Sequence, residues 1–377
     1  MNVYTVTYYR GNYGSALQAY ALQTKMLECG VNAKIIEPPI AESQIKASLI
    51  DRIRAFLKPE KHYGIKGKIR RIVEAKLFKE KNVKINSFVK ENIQTISYDN
   101  FCSQLKDDDI LVSGSDQIWS LIDGNIKGFY LFKEVKNEKV FRASYAASIG
   151  ISGLSDDQIE YYKNALLDFD IVSLREKAAF DQLNFELKNS VVRQDVDPTL
   201  LYDNTFWKEL VGNRIIKENY IFVYMLRPDN RLISMAKELA KKKHKKIIYI
   251  GQFNNFYLGV KTISNAGVED FLSAIYYADE IITNSFHGTV FSILFEKKFA
   301  SVRIESTSSR VENLLNILNL EKHLISDEKD LSIIHENVDY ISVKEKLISH
   351  RNNSLEYIAK EICKDKQYIV QKEEMEC

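Results

Sequence analysis

From Asp279 to Phe295 the chain passes from a buried strand into a helix, with a polar turn between them. Ile281 and Ile282 follow an acidic pair and read as the end of a short buried strand. Thr283, Asn284 and Ser285 bring side chains that cap helix N-termini. Val290, Phe291, Leu294 and Phe295 then recur at helical spacing. A strand feeding the helix that covers it belongs to a parallel sheet. The turn therefore lies outside the carboxyl end of the strand, where ligands sit in open α/β sheets. Backbone N–H groups and the positive end of the helix dipole meet there, which suits an anion. His287 stands in this turn with Ser285, Phe286 and Gly288. Asn-Ser-Phe-His-Gly is a poor core sequence, so a ligand-facing role for His287 outweighs simple helix capping.

The same alternation organises the rest of the chain. Val3 to Tyr8 is a strand, Arg10-Gly-Asn-Tyr-Gly-Ser15 a loop, and Ala16 to Cys29 a helix closed by Gly30. Further strands are expected from Asp109, Lys139, Asp170 and Val191, and a second series of strands and helices starts at Tyr220. The pattern predicts an α/β protein of two Rossmann-like domains facing across a cleft. The first spans 1–205, with a basic helical insert at about 41–96, and the second spans 206–350. A helix and charged tail follow at 351–377. The length of 377 residues is ordinary for two domains.

Composition narrows the function. No run of about 18 apolar residues exists, and Met1 to Arg10 lacks the basic and apolar regions of a signal peptide, so a cytoplasmic protein is expected. Cys29, Cys102, Cys363 and Cys377 are scattered, which argues against a disulfide framework and a zinc site. A net charge of +2 predicts no nucleic-acid partner. Residues 41–90 nevertheless hold 14 Lys/Arg against 5 Asp/Glu, a local excess of 14 − 5 = +9. Ile69, Ile72, Val73 and Leu77 give that segment one apolar helical face. Such a helix suits peripheral contact with an anionic inner membrane surface, or is simply a solvated face.

Four loops at expected strand ends could carry chemistry. Gly11-Asn-Tyr-Gly-Ser15 opens a helix, and its glycines allow close backbone approach. Ser113-Gly-Ser-Asp-Gln-Ile-Trp119 puts Ser115, Asp116 and Gln117 beside an indole that could stack on a sugar, or else be core. Ser173-Leu-Arg-Glu176 aims Arg175 at the cleft, where its fork matches carboxylate or phosphate. An Arg175–Glu176 ion pair is disfavoured, because strand neighbours point to opposite faces. The fourth loop holds Asn284, Ser285 and His287, with Arg310 close by at another helix start. The Asp-x-Asp spacings at 107–109, 168–170 and 195–197 read as solvated strand boundaries, so no metal is assigned. No HExxH, P-loop or GxSxG pattern occurs.

Gly11-Asn-Tyr-Gly-Ser-Ala-Leu-Gln-Ala19, Gly114-Ser-Asp-Gln-Ile-Trp119, Ser144-Tyr-Ala-Ala-Ser148, Ser173-Leu-Arg-Glu176, Asp197-Pro-Thr-Leu200 and Asn284-Ser-Phe-His-Gly288 follow one another in this order. In this the chain resembles the polysaccharide pyruvyl transferases, from about Tyr8 to about Leu320. The resemblance implies a fold of the GT-B type, phosphoenolpyruvate as donor co-substrate, and a bacterial surface glycan sugar, free or lipid-linked, as acceptor. The product it implies is a cyclic pyruvate ketal. No cofactor is expected. Arg175, Asn284, Ser285, Phe286, His287, Gly288 and Arg310 are then expected at the donor. Asn12, Tyr13, Ser115, Asp116, Gln117 and Trp119 are expected at the acceptor sugar. His287, Arg175 and Asp116 are the expected catalytic groups, with His287 as acid or only as a ligand of the phosphate, and Asp116 as acceptor ligand or base. A GT-B glycosyltransferase using a nucleotide sugar is the alternative, and a non-catalytic glycan-binding protein a second.

Overall fold

Two fully parallel sheets carry the chain. The computed structural model describes residues 1–39, 65–121, 124–151, 153–184, 187, 190–251, 257–304 and 309–365. The first sheet comprises β1 (Asn2–Val6), β2 (Asn32–Ile36), β3 (Thr95–Ile96), β4 (Ile110–Ser113), β5 (Phe141–Ser144), β6 (Ile171–Leu174) and β7 (Val191–Gln194). The second comprises β8 (Tyr220–Met225), β9 (Lys246–Gly251), β10 (Lys261–Ile263), β11 (Glu280–Thr283), β12 (Lys298–Val302) and β13 (Leu324–Ile325). Every residue of β4, β6, β8 and β11 is buried, as expected where helices cover both faces of a parallel sheet. β3, β10 and β13 escape the sequence reading because two or three residues show no periodicity.

The strand orders are β3-β2-β1-β4-β5-β6-β7 and β10-β9-β8-β11-β12-β13. Chain direction across each sheet reverses once, between β1 and β4 in the first and between β8 and β11 in the second. Crevices open at the carboxyl ends of such strand pairs. Asp116 follows β4 and His287 follows β11, so each loop singled out in the sequence stands at a reversal point.

The two sheets share an apolar seam, and one cluster of buried side chains runs through both domains. Tyr13, at the start of the first helix (Tyr13–Glu28), stacks on Phe271 of the second domain at 4.8 Å. Its hydroxyl donates to the Ala266 carbonyl at 3.0 Å. Trp207 packs edge-on against Phe291 at 5.1 Å. Tyr13 is thus a seam residue with no face left for a sugar, which corrects its assignment to the acceptor.

The basic insert proves to contain a 28-residue helix, Ile65–Asn92. Residues 41–64 and the side chains of Ile69, Ile72 and Val73 lie outside what is described. The later half of the helix buries Ile85, Phe88 and Val89 on the first domain and reaches the second. Lys84 pairs with Asp270 at 2.8 Å, and Asn265 donates to Glu80 at 2.8 Å. Lys81 is 1% exposed, with its ammonium 4.7 Å from the centre of the Tyr13 ring. The helix therefore clasps both domains rather than standing apart from them.

The last helix, Tyr340–Tyr357, begins on the second domain, where the Tyr340 hydroxyl donates to the Lys297 carbonyl at 2.6 Å. It then crosses to the first domain. Arg351 donates to the Leu200 and Tyr202 carbonyls, Ser354 to Asp195, and Tyr357 to the Ser144 carbonyl at 2.7 Å. The division expected at residue 350 falls inside this helix. A π-turn, Ile358–Ile362, leads to Cys363, whose thiol lies beside that of Cys29. Both cysteines are free.

Burial pulls Lys81 down to about 8. The unfolded chain holds that proton up to about pH 10.4. Between these values the unfolded state binds more protons, so stability rises with pH. Lys81→Met should flatten that rise in denaturant titrations at pH 8 and 10, and should stabilise the protein at pH 7 by on the order of 3 kcal/mol.

Candidate active site

Strand β6 ends at Leu174, and the next two side chains diverge. Glu176 turns away to accept from Ser148 and from the backbone N–H groups of Ile149 and Gly150. Arg175 turns into the cleft and pairs with Asp197 at 2.5 Å. Asp197 follows β7 and caps a short 3-10 turn, accepting from the Thr199 N–H at 3.0 Å and the Thr199 hydroxyl at 2.6 Å. The Ser115 hydroxyl lies 3.4 Å from its other oxygen. Burial pushes this carboxyl up, but His287, Arg175 and the Thr199 hydroxyl outweigh it and hold it well below the usual carboxylate range. Asp195, two residues earlier, is bound by Arg193, Ser173 and Ser354. The expectation that Asp195 and Asp197 are solvated is therefore wrong. Both are buried, because three strand-end loops and the last helix converge on them.

The second domain supplies the facing wall. Ser285 caps the helix Phe286–Leu294, its hydroxyl accepting from the Gly288 N–H at 3.4 Å. Gly288 presses on Thr283, where a Cβ would come within 2.3 Å of the threonine hydroxyl. His287 Nε2 lies 3.7 Å from the Asp197 carboxylate of the other domain. Its Nδ1 side abuts Gly14, where a Cβ would stand 2.0 Å from that nitrogen. The guanidinium groups of Arg175 and Arg310 both lie near the Phe286 ring, 4.8 and 5.7 Å from its centre. Burial lowers Arg310 to about 10 and Arg175 adds to this, while Asp116, Glu176 and Asp197 pull the other way. Arg310 stays a cation at neutral pH. Arg175 Nε and Nη2, Arg310 Nε and His287 Nε2 are all buried without a hydrogen-bond partner. Buried donors are almost always satisfied, so this cluster is a site prepared for an acceptor-rich group.

Asp116 belongs to the same cleft. It sits at φ 75°, in the left-handed region that Asp tolerates better than most residues. Its carboxylate accepts from the Ser15 hydroxyl at 2.5 Å and from the Gln117 N–H at 2.8 Å. Ser115 is buried beneath it, bonded to Thr7 and Asp197. Gln117 is half-buried, and its amide packs against Gly150.

Several expected ligand groups have other tasks. Trp119 is fully buried, edge-on to Phe169 at 5.5 Å, with its indole N–H directed at the Tyr130 carbonyl. It is core and does not stack on a sugar. The Asn12 side chain caps the first helix, accepting from the Ser15 N–H at 2.8 Å. Asn284 spends its amide on Leu226 N–H and the Arg227 carbonyl, so it shapes the turn. Asp197, Gly14 and Ser15 were not expected as site residues. An Asp-Pro pair after a strand signals a cap, and only the fold reveals that this cap faces His287. Among the described residues no group of three or more His, Cys, Asp or Glu is placed to hold a metal ion, and no helix is long and apolar enough to cross a membrane.

The model of the polysaccharide pyruvyl transferase family matches residues 12–306. The chain belongs to this family. No curated protein matches it. Among solved structures, the S. aureus MnaA–UDP co-structure aligns with a TM-score of 0.52 at 12% identity, over 95% of both chains. A putative UDP-N-acetylglucosamine 2-epimerase from Listeria monocytogenes gives 0.47 at 14% identity, over 93% of this chain and 90% of that one. An alpha,alpha-trehalose-phosphate synthase (UDP-forming) from Burkholderia vietnamiensis gives 0.46 at 9% identity, over 96% and 95%. Likeness at such identity concerns the fold, which is two Rossmann-like domains in the GT-B arrangement.

Gly14→Ala should drive the His287 ring from its place, so activity should fall steeply in a protein whose circular dichroism is unchanged. Trp119→Ala should cost about 3–5 kcal/mol of stability in urea titrations, as large-to-small core changes do. Its effect on any sugar KM should be no larger than that instability explains.

Proposed function

We propose that this protein transfers the pyruvyl group of phosphoenolpyruvate to two hydroxyls of a hexose in a bacterial surface glycan or its precursor. The products of this reading are a cyclic ketal and phosphate. The observation that carries it is the set of unpartnered nitrogens of Arg175, Arg310 and His287 around Phe286, at the positive end of a helix. Phosphoenolpyruvate bears a phosphate and a carboxylate, and two guanidinium forks match two such anions.

The steps follow from the donor. His287 gives a proton to the methylene carbon of the enol, which leaves C2 electron-poor. One sugar hydroxyl adds to C2 and loses its proton to a base. The C2–O bond to phosphate then breaks, with Arg175 and Arg310 taking up charge on the departing anion. The second hydroxyl closes the ring and loses its proton. In this reading Asp116, held by Ser15 at the opposite reversal point, is the base for the acceptor. Asp197 faces His287 and holds Arg175, so it couples acid and donor site. Proton transfer of this kind contributes about 10²–10⁴-fold to rate.

Thermal unfolding with phosphoenolpyruvate and with nucleotide sugars tests the donor. A ligand at about 100 times its Kd should add roughly 2.7 kcal/mol. Stabilisation by phosphoenolpyruvate, lost in His287→Ala and Arg175→Ala, with phosphate released only when an acceptor glycan is present, is the expected result. Stabilisation by a nucleotide sugar alone would make the protein a glycosyltransferase instead.

A further inference from the structure

The anion site has an opening on the β7 side. A channel lined at its inner end by Arg175, Asp197, Phe286 and Arg310 runs outward to His350 and Asn353 of the last helix. The inner residues are buried, whereas His350 and Asn353 are exposed. Half-buried Gln194 and Asn313 line the stretch between. On the opposite side His287 closes against Gly14, and Tyr13 is fully buried in the seam. The side chains that carry the partnerless nitrogens of Arg175 and Arg310 thus line its inner end, with those nitrogens themselves buried.

Val196, Leu200, Leu314, Ile317 and Leu347 form its apolar wall, and its polar groups favour an anion. The two carboxylates in the wall are already committed, Asp195 to Arg193 and Asp197 to Arg175. The other polar groups are two guanidinium ions, three side-chain amides and an imidazole, all able to donate hydrogen bonds. His350 and Asn353 lie three residues apart and so share a helix face. Arg351 and Ser354 fasten that helix to the first domain, which fixes the mouth. Both mouth residues lie beyond the segment that the family model matches.

We propose that this channel is the passage by which phosphate moves between solvent and the Arg175–Arg310 pair, met at the mouth by His350 and Asn353. The proposal rests on the pyruvyl-transfer reading for its physiological anion, the phosphate that leaves C2. It predicts that a negative charge at the mouth repels phosphate and that bulk at the mouth slows its passage.

Calorimetric titration of the full-length protein with inorganic phosphate tests the first point. His350→Glu should raise the phosphate Kd about tenfold. Asn352→Glu puts the same charge on an exposed position of the same helix that does not line the channel, and should leave the Kd near the wild-type value. Asn353→Trp should slow phosphate appearance in a stopped-flow sensor assay while the phosphate Kd changes little. Absence of phosphate binding to the wild type overturns the proposal, as do equal effects of His350→Glu and Asn352→Glu. Expected phosphate behaviour in a protein that never turns over phosphoenolpyruvate would uphold the passage and remove the pyruvyl reading. Turnover with unaltered phosphate release in His350→Glu and Asn353→Trp would do the reverse.

Discussion

One buried carboxylate ties the cleft together. Asp197 takes a guanidinium from the end of β6, a hydroxyl and an N–H from its own turn, and Ser115 from the loop after β4. It also faces His287 across the domain boundary. A buried ion pair adds little net stability, since desolvation offsets the attraction, but removing one partner costs about 3–5 kcal/mol. Its value here is positional. Asp197 engages one nitrogen of Arg175 and leaves two without a partner, so the same contact that fixes the guanidinium also leaves most of it available.

The facing wall depends on small residues and aromatic stacking. Gly14 lets the first helix approach until it touches the His287 ring. The residue before it, Tyr13, stacks on Phe271 and is covered by Lys81. Spreading the domains here must break an aromatic stack and a hydrogen bond, and each aromatic pair is worth about 0.5–1.5 kcal/mol beyond its area. The seam and the site are consecutive in sequence, so any movement that parts the domains also changes the surroundings of His287.

The parts of this architecture that were legible in the sequence are those governed by local rules. Residues 279–295 could be read because apolar run, cap and helical spacing each have a short-range cause. The divergence of Arg175 and Glu176 could be read because alternation along a strand is geometric. What stayed hidden depends on contacts far along the chain. Trp119 looks the same in sequence whether it faces a sugar or, as here, Phe169. Asn12 and Asn284 have ligand-like side chains, yet the backbone claims both. Asp197 looked like a strand boundary, and its importance comes from partners on three other elements. The clasp formed by the basic helix was invisible for the same reason: Lys84 and Asp270 are 186 positions apart.

The return of the last helix also bears on the order in which the protein is made. Tyr357 stacks on Tyr145, bonds a carbonyl 213 residues earlier, and is buried with Ile358 and Ile362 in the core that the first helix completes. A ribosome delivers the strands of the first sheet long before these side chains. The first domain must therefore wait with part of its apolar face uncovered until the second has emerged. Domains usually fold as units from the N-terminus during synthesis. Here the domain that begins first is completed only by the chain's last helix.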